Sequence, residues 1–445
     1  MENSLEYQIK TNVEKFIEKS KDKEIFLVSH FDTDGITSAT IMIKTLKLLD
    51  KKFTVKIIKS LEEQFIKNLP KDKLIFFLDL ASGSLDYLSK LNQDIFIIDH
   101  HEIAQQVPKQ VNIINPELNG KEKISASGLT YLFCKELHKK AKEFAKLAVL
   151  GMIGDLLEKE VDKLNHGILS DGEIIRKRGL LIFPSTRPLN RTLEYCSSPY
   201  IPGVTGEIKG VLELLRECRL TPKNGSYPNL IDLQKEEMKR LVTGILLRNP
   251  LTNEEKLIGD IFLIKLFNKL EDARELSSRI NACSRFGEPE TAIKLCMEIP
   301  KAKKQAESIH AKYKQKIISA LKFAKETEKI QGKGFVILNA KDQIKDTMIG
   351  TIASILSNSS LYDSGTIIIA LAHDQEKENK IKVSARVVGR ECRNARELLA
   401  RIIEILGDGE IGGHEFAAGC IISQEKEQEF IELLKKNLEI EIVKV

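Results

Sequence analysis

The chain has 445 residues, of which 42% are hydrophobic and 30% charged, and its formal net charge is +5. No apolar run approaches the roughly 18–20 residues of a membrane span, and the charged, helically patterned start MENSLEYQIKTNVEKFIEKSKDKE is unlike a signal peptide. The seven cysteines (Cys134, Cys196, Cys218, Cys283, Cys296, Cys392, Cys420) form no CxxC pair, so neither a disulfide frame nor a zinc knuckle is expected, and the reading is a cytoplasmic protein with reduced thiols.

From Glu24 to about Asn115 apolar runs alternate with helical stretches. The runs are EIFLVSH, KFTVKII, KLIFFLDL, DIFIIDHH and VNIIN. They are continuous rather than alternating, as parallel strands buried on both faces require. Gly35–Leu49 has helical spacing, with Ile36, Ala39, Ile43, Leu46 and Leu49 on one side. These features predict an open, doubly wound α/β sheet. A helix capped by Ser125 or Ser127 follows, and Ala141–Gly154 then leads into Asp155.

Residues 156–296 mix a Pro/Gly/Ser-rich stretch, STRPLNRTLEYCSSPYIPGVTG, with helical patterns, and read as a helical and loop insertion on the first domain. After Pro300 comes a long lysine-rich helix. A smaller α/β domain then begins at FVILNA and runs through TMIGTIASILSN, TIIIALA and KIKVSARVV. The expected division is 1–298, with the insertion at about 156–280, then a connecting helix at 299–331 and a C-terminal domain at 332–445.

Acids and histidines collect where the elements of the first domain end. They are His30, Asp32 and Asp34, then Asp79, then Asp99, His100 and His101, then Asp155. Singly, each has an ordinary explanation as a cap or a loop start. Asp34 reads as an N-cap, and an extended turn would let positions 30, 32 and 34 face one site. Asp99-His100-His101 is harder to explain, because such groups after an apolar strand are costly to bury unless paired or bound to metal. Together they provide the ligands that two divalent cations need, and paired cations in such a site cut or move phosphate. Carboxylates and imidazoles without thiolate suit Mn²⁺, with Mg²⁺ or Co²⁺ as substitutes.

The ordered set HxDxDG, lone Asp, DHH and late Asp resembles the four metal motifs of the DHH phosphoesterase superfamily. Gly412-Gly413-His414, followed by Ala417-Ala418-Gly419, resembles the signature of the DHHA1 domain. The resemblance implies that His30, Asp32 and Asp79 hold one cation. It gives Asp34, Asp79, His100 and Asp155 the second, with Asp79 bridging. His101 would contact the scissile phosphate and Asp99 would orient the histidines. Gly412, Gly413, His414 and Arg386 would meet the substrate in the DHHA1 domain. The middle segment resembles archaeal RecJ-like exonucleases, where Arg187, Arg191, Arg279 and Arg285 would reach backbone phosphate. Lys301, Lys303, Lys304, Lys312, Lys314 and Lys316 would line a strand channel. The implied activity is release of 5′-mononucleotides from single-stranded DNA or RNA in replication, repair or RNA turnover, in a cleft too narrow for a duplex. Association with the GINS replication complex is a further implied property. Alternatives within the superfamily are a small-substrate phosphodiesterase or oligoribonuclease and a replisome factor.

Overall fold

The computed structural model describes residues 4–443 apart from 104, 121, 160, 197–198, 250–256, 360, 376 and 390–392; Cys392 therefore lies outside the described residues. The other six cysteines are buried thiols.

The chain forms two compact units. One comprises Met1–Thr186 and Gly259–Ala311, the other Arg187–Ile258 and Lys312–Val445. In chain order the first opens with α1 (Leu5–Lys19), β1 (Ile25–His30), α2 (Thr33–Leu48), β2 (Phe53–Ile58), α3 (Glu63–Lys67), β3 (Leu74–Leu78), α4 (Leu85–Leu88), β4 (Ile95–Ile98) and β5 (Val111–Ile114). Then come α5 (Ala126–Leu137), α6 (Ala145–Gly154), α7 (Lys163–Asp171) and β6 (Ile175–Leu180). The second unit takes α8 (Leu189–Glu194), α9 (Ile208–Glu217) and α10 (Lys235–Arg248). The chain returns to the first through β7 (Ile258–Leu266), β8 (Lys269–Asp272), α11 (Ala273–Arg285) and α12 (Pro289–Cys296), and α13 (Pro300–Glu326) belongs in part to each. The remainder is β9 (Ile330–Gly332), β10 (Phe335–Asn339), α14 (Asp346–Ser357), β11 (Ile367–His373), β12 (Lys380–Val387), α15 (Ala395–Leu406), β13 (Glu410–His414), β14 (Ala417–Ser423) and α16 (Glu427–Val443).

The first sheet is wholly parallel, ordered β2-β1-β3-β4-β5, so the doubly wound reading holds. Its central strands are apolar throughout because both faces are covered: β3 and β4 are buried at every residue. Only the edge strand β2 alternates. Beneath one face, Phe16 of α1 meets Phe76, Phe96 and Phe133 edge-on at 5.6 Å. The spacing in α2 suggested one apolar side, yet nearly every residue from Thr33 to Leu46 is buried, since α5 and α6 pack on the side away from the sheet. That helix begins earlier than expected, at Thr33, with Asp32 as its N-cap. The stretch expected to be helical from Ala141 is a 3₁₀ turn up to Phe144 and α-helical only from Ala145.

The segment after Leu156 departs most from expectation. It contains a three-stranded sheet, β6-β7-β8, that the sequence reading did not anticipate. GDIFLIKLFNKLED is a hairpin whose turn residues Phe267 and Asn268 both have positive φ, at 50° and 57°. Two-residue hairpin turns need this conformation, but the usual Asn-Gly signal is missing. Residues 187–258 group with the C-terminal unit rather than elaborating the first.

The second unit carries a mixed sheet ordered β13-β14-β12-β11-β10-β9. Its parallel pair, β10 and β11, is joined through α14, and its other pairs are antiparallel. Phe430, Leu434 and Leu438 of α16 and Leu398, Leu399 and Ile402 of α15 close its core.

Candidate metal centre

The sheet order reverses direction between β1 and β3: the chain winds outward to β2 on one side and to β4 and β5 on the other. Ligand sites in such sheets lie at the carboxyl ends of strands at this switch point. His30 ends β1, Asp79 directly follows β3 and Asp99 directly follows β4. Asp155 caps the carboxyl end of α6.

These ends converge. His30 Nδ1 lies 3.1 Å from Asp32 Oδ2 and 3.4 Å from Asp79 Oδ2. The other Asp79 oxygen lies 3.5 Å from His100 Nε2, which is also 3.4 Å from Asp155 Oδ2 and 4.0 Å from Asp34 Oδ2. Three overlapping ligand groups result, His30/Asp32/Asp79, Asp79/His100/His101 and Asp34/His100/Asp155, and Asp79 links the first two. Asp79 occupies this place in a left-handed backbone conformation, φ 58°, with its N–H on the Ile98 carbonyl at 2.9 Å. Ala81 follows at φ 93°. Such conformations in non-glycine residues persist only where the surroundings enforce them.

Asp32, rather than Asp34, caps α2, accepting from Gly35 N–H at 3.0 Å. Asp34 instead sits in the first helical turn and accepts from Ala126 N–H at 2.7 Å and Ser127 N–H at 3.0 Å at the start of α5. Each carboxylate oxygen has two lone pairs, so Asp34 keeps capacity for a cation. Gly151 makes room for it: a Cβ there would fall 2.2 Å from Asp34 Oδ1 and 2.0 Å from Ser127 Oγ. The sequence reading missed Gly151; its signal is a glycine four residues before Asp155, one helical turn earlier.

The electrostatics are those of a cation site. Burial would pull the His30 imidazole down, but Asp32 and Asp79 outweigh it and hold it up at about 11. Burial likewise opposes protonation of His100, yet Asp79 and Asp34 raise it to about 9. Burial, then Asp32 and Asp34, push Asp79 up to about 7. Burial and the same crowd of carboxylates raise Asp155 well above the ordinary range. Burial would raise Asp32 too, but neighbouring His30 keeps it well below. His30 Nδ1, Asp79 Oδ2 and Asp155 Oδ2 are buried without an aligned hydrogen bond. Buried polar atoms rarely stay unsatisfied, and this set of oxygen and imidazole donors fits divalent cations.

His101 belongs to one of these groups, with Asp79 and His100, but its Nδ1 is engaged by Asp99, which is in none of them. His101 Nδ1 is 2.7 Å from Asp99 Oδ1, and the same oxygen accepts from His100 N–H at 2.8 Å. Burial disfavours the Asp99 charge, but the His101 hydrogen bond holds its carboxyl well below the usual range. An ionised carboxylate only accepts, so Nδ1 carries the proton and Nε2 is left for solvent. The Asp99 side chain is 1% exposed and that of His101 57%.

In the second unit, Arg386 and His414 share one row of the sheet, each paired in register with Ala417 of β14. The Arg386 guanidinium is tied to Ser354 Oγ at 2.9 Å and to the carbonyls of Ala385 and Ala418 at 2.8 and 3.2 Å. Gly412, Gly413 and His414 are exposed on the edge strand β13. Gly413 is required by the backbone: φ is 110° and a Cβ would meet the Ala417 carbonyl oxygen at 2.4 Å. A Cβ on Gly412 would meet nothing within 4 Å.

Four of the cationic residues named from sequence have partners within the protein. Arg279 is fully buried and bonds to Glu271 at 2.9 Å, with Glu275 at 3.4 Å. Lys303 pairs with Glu271 at 3.5 Å, and Arg191 with Glu194 at 2.9 Å. Arg285 donates to Asn281 Oδ1 within its own helix. Lys301, Lys304, Lys312 and Lys316 are exposed along α13, while Lys314 lies 5.9 Å from the Tyr195 ring centre.

Comparison with known proteins matches three family models along the chain: DHH family, N-terminal domain, at residues 24–152; DHH-CID domain at 183–256; and DHHA1 domain at 331–439. An uncharacterized protein of Methanocaldococcus jannaschii is 28% identical over 422 residues, covering 92% of this chain and 91% of that one. Among solved structures, RecJ of Thermus thermophilus in complex with Mn²⁺ is similar with a TM-score of 0.59 at 19% identity, over 97% of this chain. The chain spans about half of that protein's length, 54%. An exonuclease RecJ bound to manganese is similar over 97% of this chain and 94% of its own, with a TM-score of 0.59 at 17% identity. CDC45 of Entamoeba histolytica is similar over 97% and 98%, with a TM-score of 0.69 at 12% identity. With the DHH and DHHA1 domains in order along the chain, it belongs to the DHH–DHHA1 superfamily of phosphoesterases and has a RecJ-like fold.

Proposed function

We propose that the protein is a metal-dependent exonuclease that hydrolyses single-stranded nucleic acid to 5′-mononucleotides. The observation that carries this reading is the convergence of two ligand groups on Asp79 in a chain that also has a DHHA1 domain. His30, Asp32 and Asp79 would hold one cation and Asp34, Asp79, His100 and Asp155 the other, with Mn²⁺ the best match to this donor set. When bound, the two cations supply Lewis-acid polarisation of the phosphodiester and a nucleophile at neutral pH.

The protein's own groups do the rest. Asp99 fixes the His101 ring and holds its proton on Nδ1, so Nε2 is presented outward. Protonated there as well, His101 donates a hydrogen bond to a non-bridging phosphate oxygen and stabilises charge that builds in the transition state. The Asp34 carboxylate is kept still by two backbone N–H groups, which fixes its distance from His100 and Asp155. Gly412 leaves open space beside β13, where a terminal nucleotide can lie against the edge strand near His414.

The experiment is digestion of single-stranded DNA and RNA of matched sequence, labelled at either end, with Mn²⁺, beside Asp79→Ala. Mononucleotides released from one end by the wild type alone support the reading. Full cleavage by Asp79→Ala sinks it. Turnover that collapses beyond a few nucleotides moves the reading to a small-substrate phosphodiesterase. A second reading, association with the GINS replication complex, is carried over from the motif resemblance alone; failure to co-purify with GINS would remove it.

A further inference from the structure

Asn115 directly follows β5 and is fully buried. Its Nδ2 group donates to the His101 carbonyl at 2.9 Å and to Ser82 Oγ at 3.0 Å. Its Oδ1 accepts from Glu117 N–H at 2.9 Å. That last bond caps the short turn after β5 and is an ordinary strand-end role. The two donor bonds have another destination, since both lead to the Asp99–His101 pair.

Ser82 donates its backbone N–H to Asp99 Oδ2 at 3.0 Å. Both Asp99 oxygens are therefore occupied, Oδ2 by Ser82 and Oδ1 by the backbone and ring of the histidine segment. Ser82 also closes the turn that contains Asp79 and Ala81, both at positive φ. One buried amide thus ties the end of β5 to the Asp79 turn and to the backbone of His101. We propose that Asn115, acting with Ser82, is a positioning residue that aims His101 at the substrate phosphate. The proposal rests on the reading of His101 as the phosphate contact.

Backbone bonds already join these strand ends, Asp79 N–H to Ile98 at 2.9 Å and Asp99 N–H to Ile114 at 3.1 Å, but they stop short of His101. The Asn115 bonds set the height of His101 relative to Asp79, so a lost bond leaves the cations in place but lets the imidazole drift. The effect then falls on the chemical step rather than on binding.

The test uses the full chain with Asn115→Ala, Ser82→Ala, His101→Ala and the double variant Asn115→Ala/His101→Ala, assayed on a single-stranded oligonucleotide with Mn²⁺. Ser82→Ala removes one hydroxyl and keeps the backbone N–H, so it serves if Asn115→Ala does not fold. The expected loss in kcat is about ten-fold or more for Asn115→Ala, the range typical of groups that orient a functional side chain. KM and Mn²⁺ affinity should not change. In the His101→Ala background the Asn115 change should cost nothing further, because the group it positions is gone. An equal further loss in the double variant overturns the proposal, as does a fall in Mn²⁺ affinity matching the fall in kcat. A second readout needs no activity: nitrogen-detected NMR of the histidine rings in the metal-free protein. The His101 Nδ1 proton should exchange slowly in wild type and rapidly in Asn115→Ala or Ser82→Ala, and identical exchange in all three also overturns the proposal. A wild type with no cleavage of any strand would defeat the exonuclease reading, and the NMR comparison would still decide the role of Asn115.

Discussion

Gly151 of α6 and Asp34 of α2 meet so closely that a single added carbon on the glycine would fall 2.2 Å from the Asp34 carboxylate. The same carbon would fall 2.7 Å from Thr37 Oγ1. Two helices are thereby brought together at the one place where a ligand carboxylate lies between them. Gly151→Ala should push Asp34 off its two backbone donors. We expect destabilisation of about 1–3 kcal/mol, as for overpacking elsewhere, with a larger proportional loss of Mn²⁺ binding. Calorimetric titration beside a melting curve checks both; unchanged Mn²⁺ affinity would refute the steric argument.

Metal binding should release protons. His30 at about 11, His100 at about 9 and Asp79 at about 7 are all wholly or partly protonated near neutrality without a cation. Ligation needs neutral imidazole and ionised carboxylate, so Mn²⁺ affinity should rise with pH across roughly pH 6–9. Titrations in buffers of different ionisation enthalpy will show the released protons, and a pH-independent affinity would contradict the assignment.

The stability of the metal-free protein should run the other way. Asp79 is raised from the ordinary 3.8 to about 7, so the folded state binds more protons than the unfolded one over that window. His30 and His100 are raised as well, and their contribution is complete below about 6.5 and lost as pH climbs through their folded values. Both effects lower stability as pH rises. The melting temperature of chelator-treated protein should therefore fall between roughly pH 6 and 9, while that of Mn²⁺-loaded protein should hold. Asp155→Asn should raise the first and abolish the gain on loading. Parallel curves for free and loaded protein would count against this.

The buried Arg279 offers a test away from the centre. It is 1% exposed, with Glu271 and Glu275 also buried beside it. Arg279→Ala removes the buried guanidinium that the two carboxylates share, while Lys303 stays 3.5 Å from Glu271, and should cost about 3–5 kcal/mol in denaturant unfolding. A cost below about 1 kcal/mol, the scale of an exposed pair, would mean that the residue is not buried in solution.

Gly412→Ala and Gly413→Ala form a matched pair. The second should lose stability because of its φ of 110° and the nearby Ala417 carbonyl, whereas the first meets no steric bar. Loss of nuclease activity in Gly412→Ala without a change in melting temperature would mark the open space beside β13 as substrate space. Full activity would place the substrate elsewhere.

The parallel sheet was legible because strands buried on both faces must be apolar without interruption, as LIFFL and IFII are. The ligand cluster was legible because strand ends at the carboxyl edge have to meet. Less visible was the work of backbone. The pairing of Asp34 with the start of α5 joins residues far apart in sequence, and nothing local marks it. Asn115 looked like the end of a strand, because a buried amide and an exposed one share a letter. The β7–β8 hairpin stayed hidden because Phe267 and Asn268 adopt a turn usually given to glycine. Arg279 resembled a surface cation until its burial was known.

The raised proton affinities at the centre also bear on charge accounting. His30 and His100 hold protons without a cation, and Asp79 and Asp155 are pushed toward holding them. Protons displaced from these groups as two dications bind would offset part of the charge that arrives with the metals. Loading is then partly an ion exchange, so the free and loaded forms should differ in native-gel mobility by less than the full charge of the two cations, and the long-range field felt by an approaching polyanion should change correspondingly less.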